Sequence, residues 1–218
     1  MTRLVIFDFD GTLGDTRQNI IITLQRTMRL MGLELRDEAT CARTIGLTLE
    51  DSFLSMYPQM SRDDAREAVR VYRDIFYESI EELQPDLFPG VKEVVEGLYA
   101  RGLMLSIASS RSSPSLLLFL RNMGIAHYFS LVLGSDNVEF HKPHPEAVLL
   151  TLREFGVRPD DAIVVGDMPV DVEMAHRAGV EAVAVSYGNA TREELEAAHA
   201  EYVIDEIAPL VDIIASKA

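Results

Sequence analysis

The stretch Leu4–Thr12 reads LVIFDFDGT, four apolar residues that run directly into two aspartates and a glycine. The apolar residues predict a short buried strand, and Asp8 and Asp10 follow its carboxyl end. Alternate residues of an extended chain point the same way, so we expect the two carboxylates side by side. One member of such a pair can stay ionised and attack while the other donates a proton. The pattern therefore points to nucleophilic and acid–base chemistry at the end of a strand.

Three further apolar runs are each followed by polar residues that suit binding or catalysis. These residues are Ser109 and Ser110 after the run 103–108, Lys142 after 131–133, and Asp167 and Asp171 after 162–165. Short apolar runs separated by helical patterns predict a parallel sheet, and its ligands lie outside the carboxyl ends of the strands. We therefore expect all of these side chains at one edge of the sheet.

Between residues 88 and 187 a helical stretch repeatedly ends in glycine and an apolar strand follows at once. The glycines are Gly102, Gly124, Gly156 and Gly179. Glycine adopts the left-handed conformation that closes a helix at low cost. The succession of βα units predicts an α/β fold, a Rossmann-like doubly wound parallel sheet with right-handed crossovers.

Residues 16–86 lack strand signals, and their apolar residues recur at helical spacings of three and four. Thr48 and Ser61, each followed three residues later by aspartate, are expected helix starts. We predict a helical-bundle cap subdomain over 16–86. It is inserted into an α/β core domain formed by 1–15 and 87–218.

The chain has 218 residues, a net charge of −15 and a single cysteine, Cys41. The acidic balance argues against nucleic acid or anionic lipid as a partner, because phosphate backbones require a basic patch. The lone cysteine excludes an internal disulfide, and no apolar run is long enough to span a membrane. We expect a cytoplasmic protein that is a monomer or a homodimer and binds no membrane.

The polar residues at the strand ends have distinct expected uses. The hydroxyls of Ser109 and Ser110 suit a phosphoryl oxygen at the start of a helix. Lys142 lies in the sequence HKPHP, whose prolines fix the backbone and hold the ammonium near the sheet edge. Asp167 and Asp171 offer the oxygen ligands that a hard cation prefers.

The charges of this set predict a metal ion. Asp8, Asp10, Asp167 and Asp171 carry four negative charges when all are ionised, and such a cluster is unstable alone. Lys142 and one divalent cation leave a single negative charge, and a protonated Asp10 removes it. This balance favours bound Mg²⁺ and a protonated Asp10.

Together these motifs resemble the haloacid dehalogenase superfamily. The sequence DFDGTL from Asp8 is similar to its first motif, and Ser109, Lys142 and the pair Asp167 and Asp171 resemble its second, third and fourth motifs in the same order. The segment 16–86 resembles the helical cap of the phosphoglycolate phosphatase and β-phosphoglucomutase branch. Dehalogenation is disfavoured, since dehalogenases of this family usually lack the second aspartate and Asp10 is present.

The resemblance implies a role for each matching residue. Asp8 would be the nucleophile that forms an aspartyl-phosphate, and Asp10 would protonate the leaving alcohol and then activate water. Ser109 and Lys142 would hold the phosphoryl oxygens. The implied Mg²⁺ set is the Asp8 carboxylate, the Asp10 backbone carbonyl, Asp167, and Asp171 through a water.

One loop of the predicted cap subdomain is a candidate for substrate selection. Gly46, Leu47 and Thr48 resemble the part of the cap that selects the substrate. Arg17 and Arg43 are candidate substrate contacts, although a solvated arginine is the favoured interpretation of each, and His141 is expected at the surface.

The sequence favours a Mg²⁺-dependent phosphatase that acts on a small phosphorylated metabolite, a monoester such as 2-phosphoglycolate. A phosphomutase with the same residues, and a non-catalytic binding or regulatory protein of this fold, are the alternatives.

Overall fold

The computed structural model describes residues 2–80 and 82–217. The strands in this part of the chain are β1 (Leu4–Phe7), β2 (Gly14–Asp15), β3 (Asp86–Leu87), β4 (Met104–Ala108), β5 (Leu131–Leu133), β6 (Ala162–Gly166), β7 (Glu181–Val185) and β8 (Tyr202–Ile204). The α-helices are α1 (Arg17–Leu30), α2 (Glu38–Ala42), α3 (Leu49–Met56), α4 (Arg62–Glu78), α5 (Val91–Ala100), α6 (Ser113–Asn122), α7 (Glu146–Phe155), α8 (Pro169–Arg177), α9 (Arg192–Ala197) and α10 (Leu210–Ser216). Each of these helices is too short or too polar to cross a lipid bilayer.

Six strands form one parallel sheet in the order β5-β4-β1-β6-β7-β8, which confirms the predicted fold class. The first strand lies in the middle of the sheet, where Phe7 is in register with Ile107 of β4 and with Val165 of β6. The carboxyl ends of β4, β1 and β6 are therefore neighbours. Any side chain placed just beyond one of these strands lies close to those beyond the other two.

The central strand is buried on both faces, which explains its unbroken apolar sequence. Val5 and Phe7 belong to a core that also contains α1 and α4, whereas Leu4 and Ile6 belong to a second core under α7 and α8. Successive residues of a strand point to opposite faces, so the four side chains divide evenly between the two layers. Each of them is completely inaccessible to solvent.

Most of the expected helix boundaries are confirmed. Thr48 and Ser61 each accept a hydrogen bond from the backbone N–H three residues later and begin α3 and α4, as predicted. Thr191 begins α9 in the same way. Ser112 is the N-cap of α6, and Ser113 is its first residue. The carboxylate of Asp136 accepts from the backbone and the hydroxyl of Ser113, and this long-range contact places Ser113 inside the helix.

The four helices α1–α4 lie between two very short strands, β2 and β3, which pair antiparallel. Sequence reasoning missed this pair, because two residues a strand leave no periodic pattern to detect. The pair joins the two ends of the helical segment. β2 ends at the boundary predicted at 15/16, and β3 spans the one predicted at 86/87. The division into domains stays a prediction, and its ranges include residues 1, 81 and 218, which lie outside the described part.

Aromatic contacts join the helical segment to the sheet layer. The Phe76 ring of α4 meets the Phe119 ring of α6 edge-on, with centroids 5.5 Å apart, and Phe119 stacks on Phe9 at 5.9 Å. All three rings are buried in one continuous core. Phe119 therefore connects the helical segment to the loop that follows β1.

We expect Phe119→Ala to lower the free energy of unfolding by about 3–5 kcal/mol, because it leaves a cavity at this junction. Phe140 is 52% exposed, so Phe140→Ala is the matched control and should cost under about 1 kcal/mol. Urea denaturation of both variants measures the difference. Equal losses would show that the Phe119 ring does not join the two parts.

Candidate active site

Asp8 and Asp167 each directly follow one of two neighbouring strands. Asp8 directly follows β1, and its backbone N–H donates to the carbonyl of Val165 at 2.8 Å, which continues the ladder between the two strands. Asp167 directly follows Gly166, the last residue of β6. Sheet register therefore brings together two carboxylates that are far apart in sequence.

A cluster of buried charges forms at this edge, as the strand-end pattern predicts. Carboxylate oxygens of Asp8, Asp167 and Asp171 lie within 4.8 Å of one another. The Lys142 ammonium donates to Asp8 Oδ1 at 2.7 Å and to Asp171 Oδ1 at 2.6 Å. Its side chain is 5% exposed, so these ion pairs are sheltered from solvent.

Local structure fixes the two residues that come from outside the strands. Asp171 lies in the first turn of α8, where its second oxygen accepts from the backbone N–H of Met168 at 3.0 Å. A carboxylate in this position also suits the positive end of the helix dipole. Lys142 lies in the loop between β5 and α7.

Asp167 has a set of hydrogen-bond donors of its own. Thr12 donates its hydroxyl at 3.2 Å, and Asn189 donates its backbone N–H at 2.7 Å and its side-chain amide at 2.8 Å. Arg17 donates to the Asn189 side chain at 3.3 Å, so it supports this site and is not simply a solvated surface residue. Asn189 was missed from sequence, although it follows the carboxyl end of β7 as the other site residues follow their strands.

Burial dominates the ionisation of the acidic cluster. It raises the pKa of Asp8 to about 7, assisted by the Asp171 and Asp10 carboxylates and opposed by Lys142. Burial likewise raises the pKa of Asp167 well above its usual range, with Asp8 and Asp171 adding to the effect. Burial also opposes the charge on Lys142, but Asp171 and Asp8 outweigh it and raise the pKa of the ammonium. The positive charge of Lys142 is therefore smaller than the negative charge that the three carboxylates carry when all are ionised.

The donor set fits a hard divalent cation. Three carboxylates share one ammonium, which leaves two negative charges in a space sheltered from water. Oxygen ligands from aspartate are those that Mg²⁺ and Ca²⁺ prefer. Of the predicted metal residues, Asp8, Asp167 and Asp171 contribute side chains to this cluster, and the carboxylate of Asp10 does not.

The Asp10 carboxylate instead pairs with Arg111. The guanidinium donates through Nε at 3.1 and 3.0 Å to the two oxygens and through Nη2 at 2.8 Å to Oδ1. The two side chains are 8% and 12% exposed. Burial opposes the charge on Arg111, but Asp10 outweighs it and raises the pKa of the guanidinium. Sequence reasoning gave Arg111 no role.

This pair changes the charge balance inferred from sequence. Arg111 and Lys142 together leave the four carboxylates with two uncompensated charges, and one divalent cation neutralises them. A protonated Asp10 is therefore not required for neutrality. The charge argument for a divalent cation becomes stronger, and the charge argument for a protonated Asp10 is removed.

The two serines after β4 form structural contacts at the site. Ser109 is held by a bond from its N–H to Leu133 and accepts from the Arg111 backbone N–H at 3.2 Å. The Ser110 hydroxyl donates to the carbonyl of Gly46 at 2.7 Å and so links the sheet edge to the helical segment. Their predicted roles in binding a phosphoryl group stay predictions.

A cavity of about 390 Å³ opens between the sheet edge and the helical segment. Its lining includes the acidic pair, the two serines, the predicted cap loop, two arginines of α4 and a histidine of the loop before α7: Asp8, Asp10, Ser109, Ser110, Gly46, Leu47, Thr48, Arg66, Arg73 and His141. The position of the cap loop agrees with a role in substrate selection, which stays a prediction. The Thr48 hydroxyl is already used at the start of α3.

Two expectations about surface residues have different outcomes. Arg43 is exposed and bonds to Thr40, as expected of a solvated side chain. His141 was expected on the surface, but it lines the cavity, and its Nδ1 is buried without a hydrogen-bond partner. Proximity to Lys142 in the HKPHP loop explains the difference, because the loop that delivers the ammonium carries its neighbour with it.

Comparison with known proteins places the chain in a family. The haloacid dehalogenase-like hydrolase family matches residues 5–185. The chain is 36% identical to "Probable phosphatase IndB" of Dickeya dadantii, covering 97% of this chain and 93% of that protein. It is 30% identical to a "Phosphoglycolate phosphatase" of Vibrio vulnificus, covering 97% and 96%.

A solved structure from Bacteroides fragilis, described as haloacid dehalogenase-like, superposes with a TM-score of 0.91 at 28% identity. The superposition covers 96% of this chain and 100% of the other. The chain belongs to the haloacid dehalogenase-like hydrolase family, as its motifs predict.

Gly11 is the tightest point of the loop that carries the acidic pair. Its φ is +91°, and an added Cβ would lie 2.1 Å from Asp167 Oδ2 and 2.3 Å from Asn189 Nδ2. Only glycine combines this backbone conformation with so close an approach. The loop can therefore lie against Asp167 without displacing its hydrogen bonds.

We expect Gly11→Ala to lower the free energy of unfolding by about 2–5 kcal/mol, since backbone strain and overpacking act together. Gly32 has φ +67° and open space around it, so Gly32→Ala is the control and should cost about 1–2 kcal/mol from the backbone alone. Chemical denaturation of both variants tests this. A Gly11→Ala loss no larger than the Gly32→Ala loss would contradict the close approach.

Proposed function

We propose that this protein is a Mg²⁺-dependent phosphatase that hydrolyses a small phosphate monoester through an aspartyl-phosphate on Asp8. One observation carries the proposal: Asp8 lines the cavity while its carboxylate pairs with Lys142 in a cluster with Asp167 and Asp171. Family membership and relatives named as phosphatases support it.

In the first half of the reaction an Asp8 oxygen attacks phosphorus, and the bond from phosphorus to the alcohol oxygen breaks. Lys142 lies beside the attacking carboxylate, where its charge stabilises negative charge on the phosphoryl oxygens. In its protonated form Asp10 donates a proton to the departing oxygen and becomes a carboxylate. Positioning and charge neutralisation provide most of the rate enhancement in such transfers.

In the second half water attacks the phosphorus of the aspartyl-phosphate. Asp10 accepts the proton of this water, and inorganic phosphate leaves as the Asp8 carboxylate is restored. The proton that Asp10 loses in the first half is thereby regained. A single carboxylate beside the nucleophile can serve both steps.

Mg²⁺ held by the carboxylates of Asp8, Asp167 and Asp171 would neutralise charge on the phosphoryl group. The buried oxygen cluster and its two uncompensated negative charges support this assignment. Lys142 holds Asp8 and Asp171, and Thr12 and Asn189 orient Asp167, so the three carboxylates would be in place to bind the ion. These donors correspond to the outer-shell hydrogen bonds that metal-binding carboxylates usually have.

A small phosphorylated metabolite is the substrate class that fits best. The cavity volume of about 390 Å³ falls at the lower end of small-molecule sites. Two arginines of α4, Arg66 and Arg73, line its helical side. A compound such as 2-phosphoglycolate, which carries a second anionic group, is the first candidate, and several relatives bear the name phosphoglycolate phosphatase.

We expect Asp8→Asn to reduce the release of inorganic phosphate from 4-nitrophenyl phosphate by about 10⁴-fold, because the nucleophile is lost. Asp212 is exposed in α10, so Asp212→Asn is the matched control and should retain the activity. Mass spectrometry of acid-quenched protein should find a phosphoryl group on the wild type alone. Substantial turnover by Asp8→Asn would rule out the nucleophile.

We expect Mg²⁺ to raise the melting temperature more at pH 8 than at pH 6. The pKa of Asp8 is raised from 3.8 to about 7, so the metal-free fold loses stability as pH rises through this range. At pH 6 the ion must displace protons, and at pH 8 it binds ionised carboxylates and relieves their repulsion.

Thermal melts with and without Mg²⁺ at the two pH values measure this effect. In Asp167→Asn the increase in melting temperature caused by Mg²⁺ should nearly disappear at both pH values, because one ligand loses its charge. A shift in the wild type that is equal at pH 6 and pH 8 would contradict the raised pKa.

A further inference from the structure

We propose that Arg111 is a positioning residue that sets the geometry of Asp10, the acid–base group, and that the helical segment helps to hold it in place. The inference rests on the proposed phosphatase function and extends it to a residue outside the matching motifs. It starts from the geometry of the ion pair. Two nitrogens of the planar guanidinium contact both oxygens of the Asp10 carboxylate, at 2.8 to 3.1 Å.

A bidentate pair fixes direction as well as distance, because the planar fork matches the plane of the carboxylate. A single ammonium would leave the carboxylate free to rotate about its own axis. Asp10 lies in the loop after β1, directly before Gly11, whose φ is +91°. A side chain in such a loop needs a partner to keep one orientation. Arg111 is the cation that the structure places in ion-pair contact with Asp10 among the described residues.

The backbone of Arg111 is itself held on both sides. Its N–H donates to the Ser109 hydroxyl at 3.2 Å, and its carbonyl accepts from the Ser135 N–H at 3.0 Å. Gly134 lies so close that an added Cβ would stand 2.5 Å from the Arg111 carbonyl oxygen. The side chain therefore extends toward Asp10 from an anchored position.

Two aromatic rings contact the Arg111 guanidinium, one from the helical segment and one from a helix beside the sheet. Its central carbon lies 4.9 Å from the centroid of Phe119 in α6 and 5.5 Å from that of Phe76 in α4. Cation–π contacts of this kind strengthen when they are shielded from water, as here. Since Phe76 belongs to the helical segment, the placement of α4 bears directly on the acid–base group.

A residue that acts through Asp10 has a kinetic signature that a phosphate-binding residue lacks. Phenolate is a much stronger base than 4-nitrophenolate, so phenyl phosphate depends on proton donation far more than 4-nitrophenyl phosphate does. Misplacing Asp10 should therefore slow the first ester much more than the second. Loss of a contact to the phosphoryl group should slow both esters alike.

The experiment compares kcat/KM of the wild type, Arg111→Met and Arg111→Lys for the two esters in saturating Mg²⁺. We expect Arg111→Met to lose about 10–100-fold with phenyl phosphate and less than about 3-fold with 4-nitrophenyl phosphate. Arg111→Lys keeps the positive charge but loses the bidentate contact, so its kcat/KM for phenyl phosphate should lie between those of Arg111→Met and the wild type. Arg121→Met, an exposed arginine at the end of α6, is the matched control and should behave as the wild type.

Two further variants test whether Arg111 acts through Asp10 and whether Phe76 helps to hold Arg111. In an Asp10→Asn background the added Arg111→Met should change kcat/KM for phenyl phosphate by less than about 3-fold, because the group it positions is already lost. Phe76→Leu keeps apolar bulk but removes the ring face, and it should shift the ester ratio in the same direction as Arg111→Met by a smaller factor.

Equal losses on both esters, or a full further loss in the Asp10→Asn background, would overturn the proposal and assign Arg111 to phosphate binding. An Arg111→Met variant with wild-type rates would overturn it as well. If Arg111→Met does not fold, Arg111→Lys and Phe76→Leu decide by the same ester ratio. Failure of the wild type to release phosphate from either ester would instead end the proposed function, and this inference with it.

Discussion

The buried ammonium of Lys142 holds together carboxylates that would otherwise repel one another. It contacts Asp8 and Asp171, which come from a strand end and from a helix start that are distant in sequence. Removing one partner of a buried pair leaves an uncompensated charge, a cost of about 3–5 kcal/mol in typical proteins. This cation offsets part of the repulsion among the carboxylates at the edge of the sheet.

The position of β1 at the centre of the sheet also brings residues that are distant in sequence into contact. Its neighbours are β4 and β6, so the loops that carry Ser109 and Asp167 flank the loop that carries Asp8. The doubly wound topology brings these loops together whatever their sequence separation. Gly11 then lets the central loop approach Asp167 closely. Ion pairing by Lys142, the sheet register and the absence of a side chain at Gly11 thus together bring the acidic residues close to one another.

The fold and the acidic cluster were predictable because each depends on the ends of buried strands. A run of apolar residues marks a strand, and the residue after it must lie at the sheet edge, which places Asp8 and Asp167. Asn189 follows β7 in the same manner, and consistent use of this rule would have found it. The information was present in the pattern of the chain.

Arg111 was a different case. A strand end fixes where its backbone lies, but a long side chain can point in several directions, and only the rings of Phe76 and Phe119 decide among them. Those rings come from helices whose mutual placement is a tertiary property. The charge balance read from sequence lacked this cation, and so it assigned a proton to Asp10 that the structure does not require. The β2–β3 pair was likewise too short to leave a pattern.

The net charge of −15 raises the question of how an anionic substrate reaches the site. Mobile ions screen exposed charges beyond about 8 Å at physiological ionic strength, so most of the acidic surface has little influence inside the cavity. Close groups dominate there, and Arg66, Arg73 and Arg111 line the cavity. Burial strengthens each nearby interaction, since the surrounding dielectric is lower than that of water. Asp8, Asp10, Glu50 and Asp136 also line the cavity, so the position of each nearby charge, and not the total charge of the surface, decides where an anion binds.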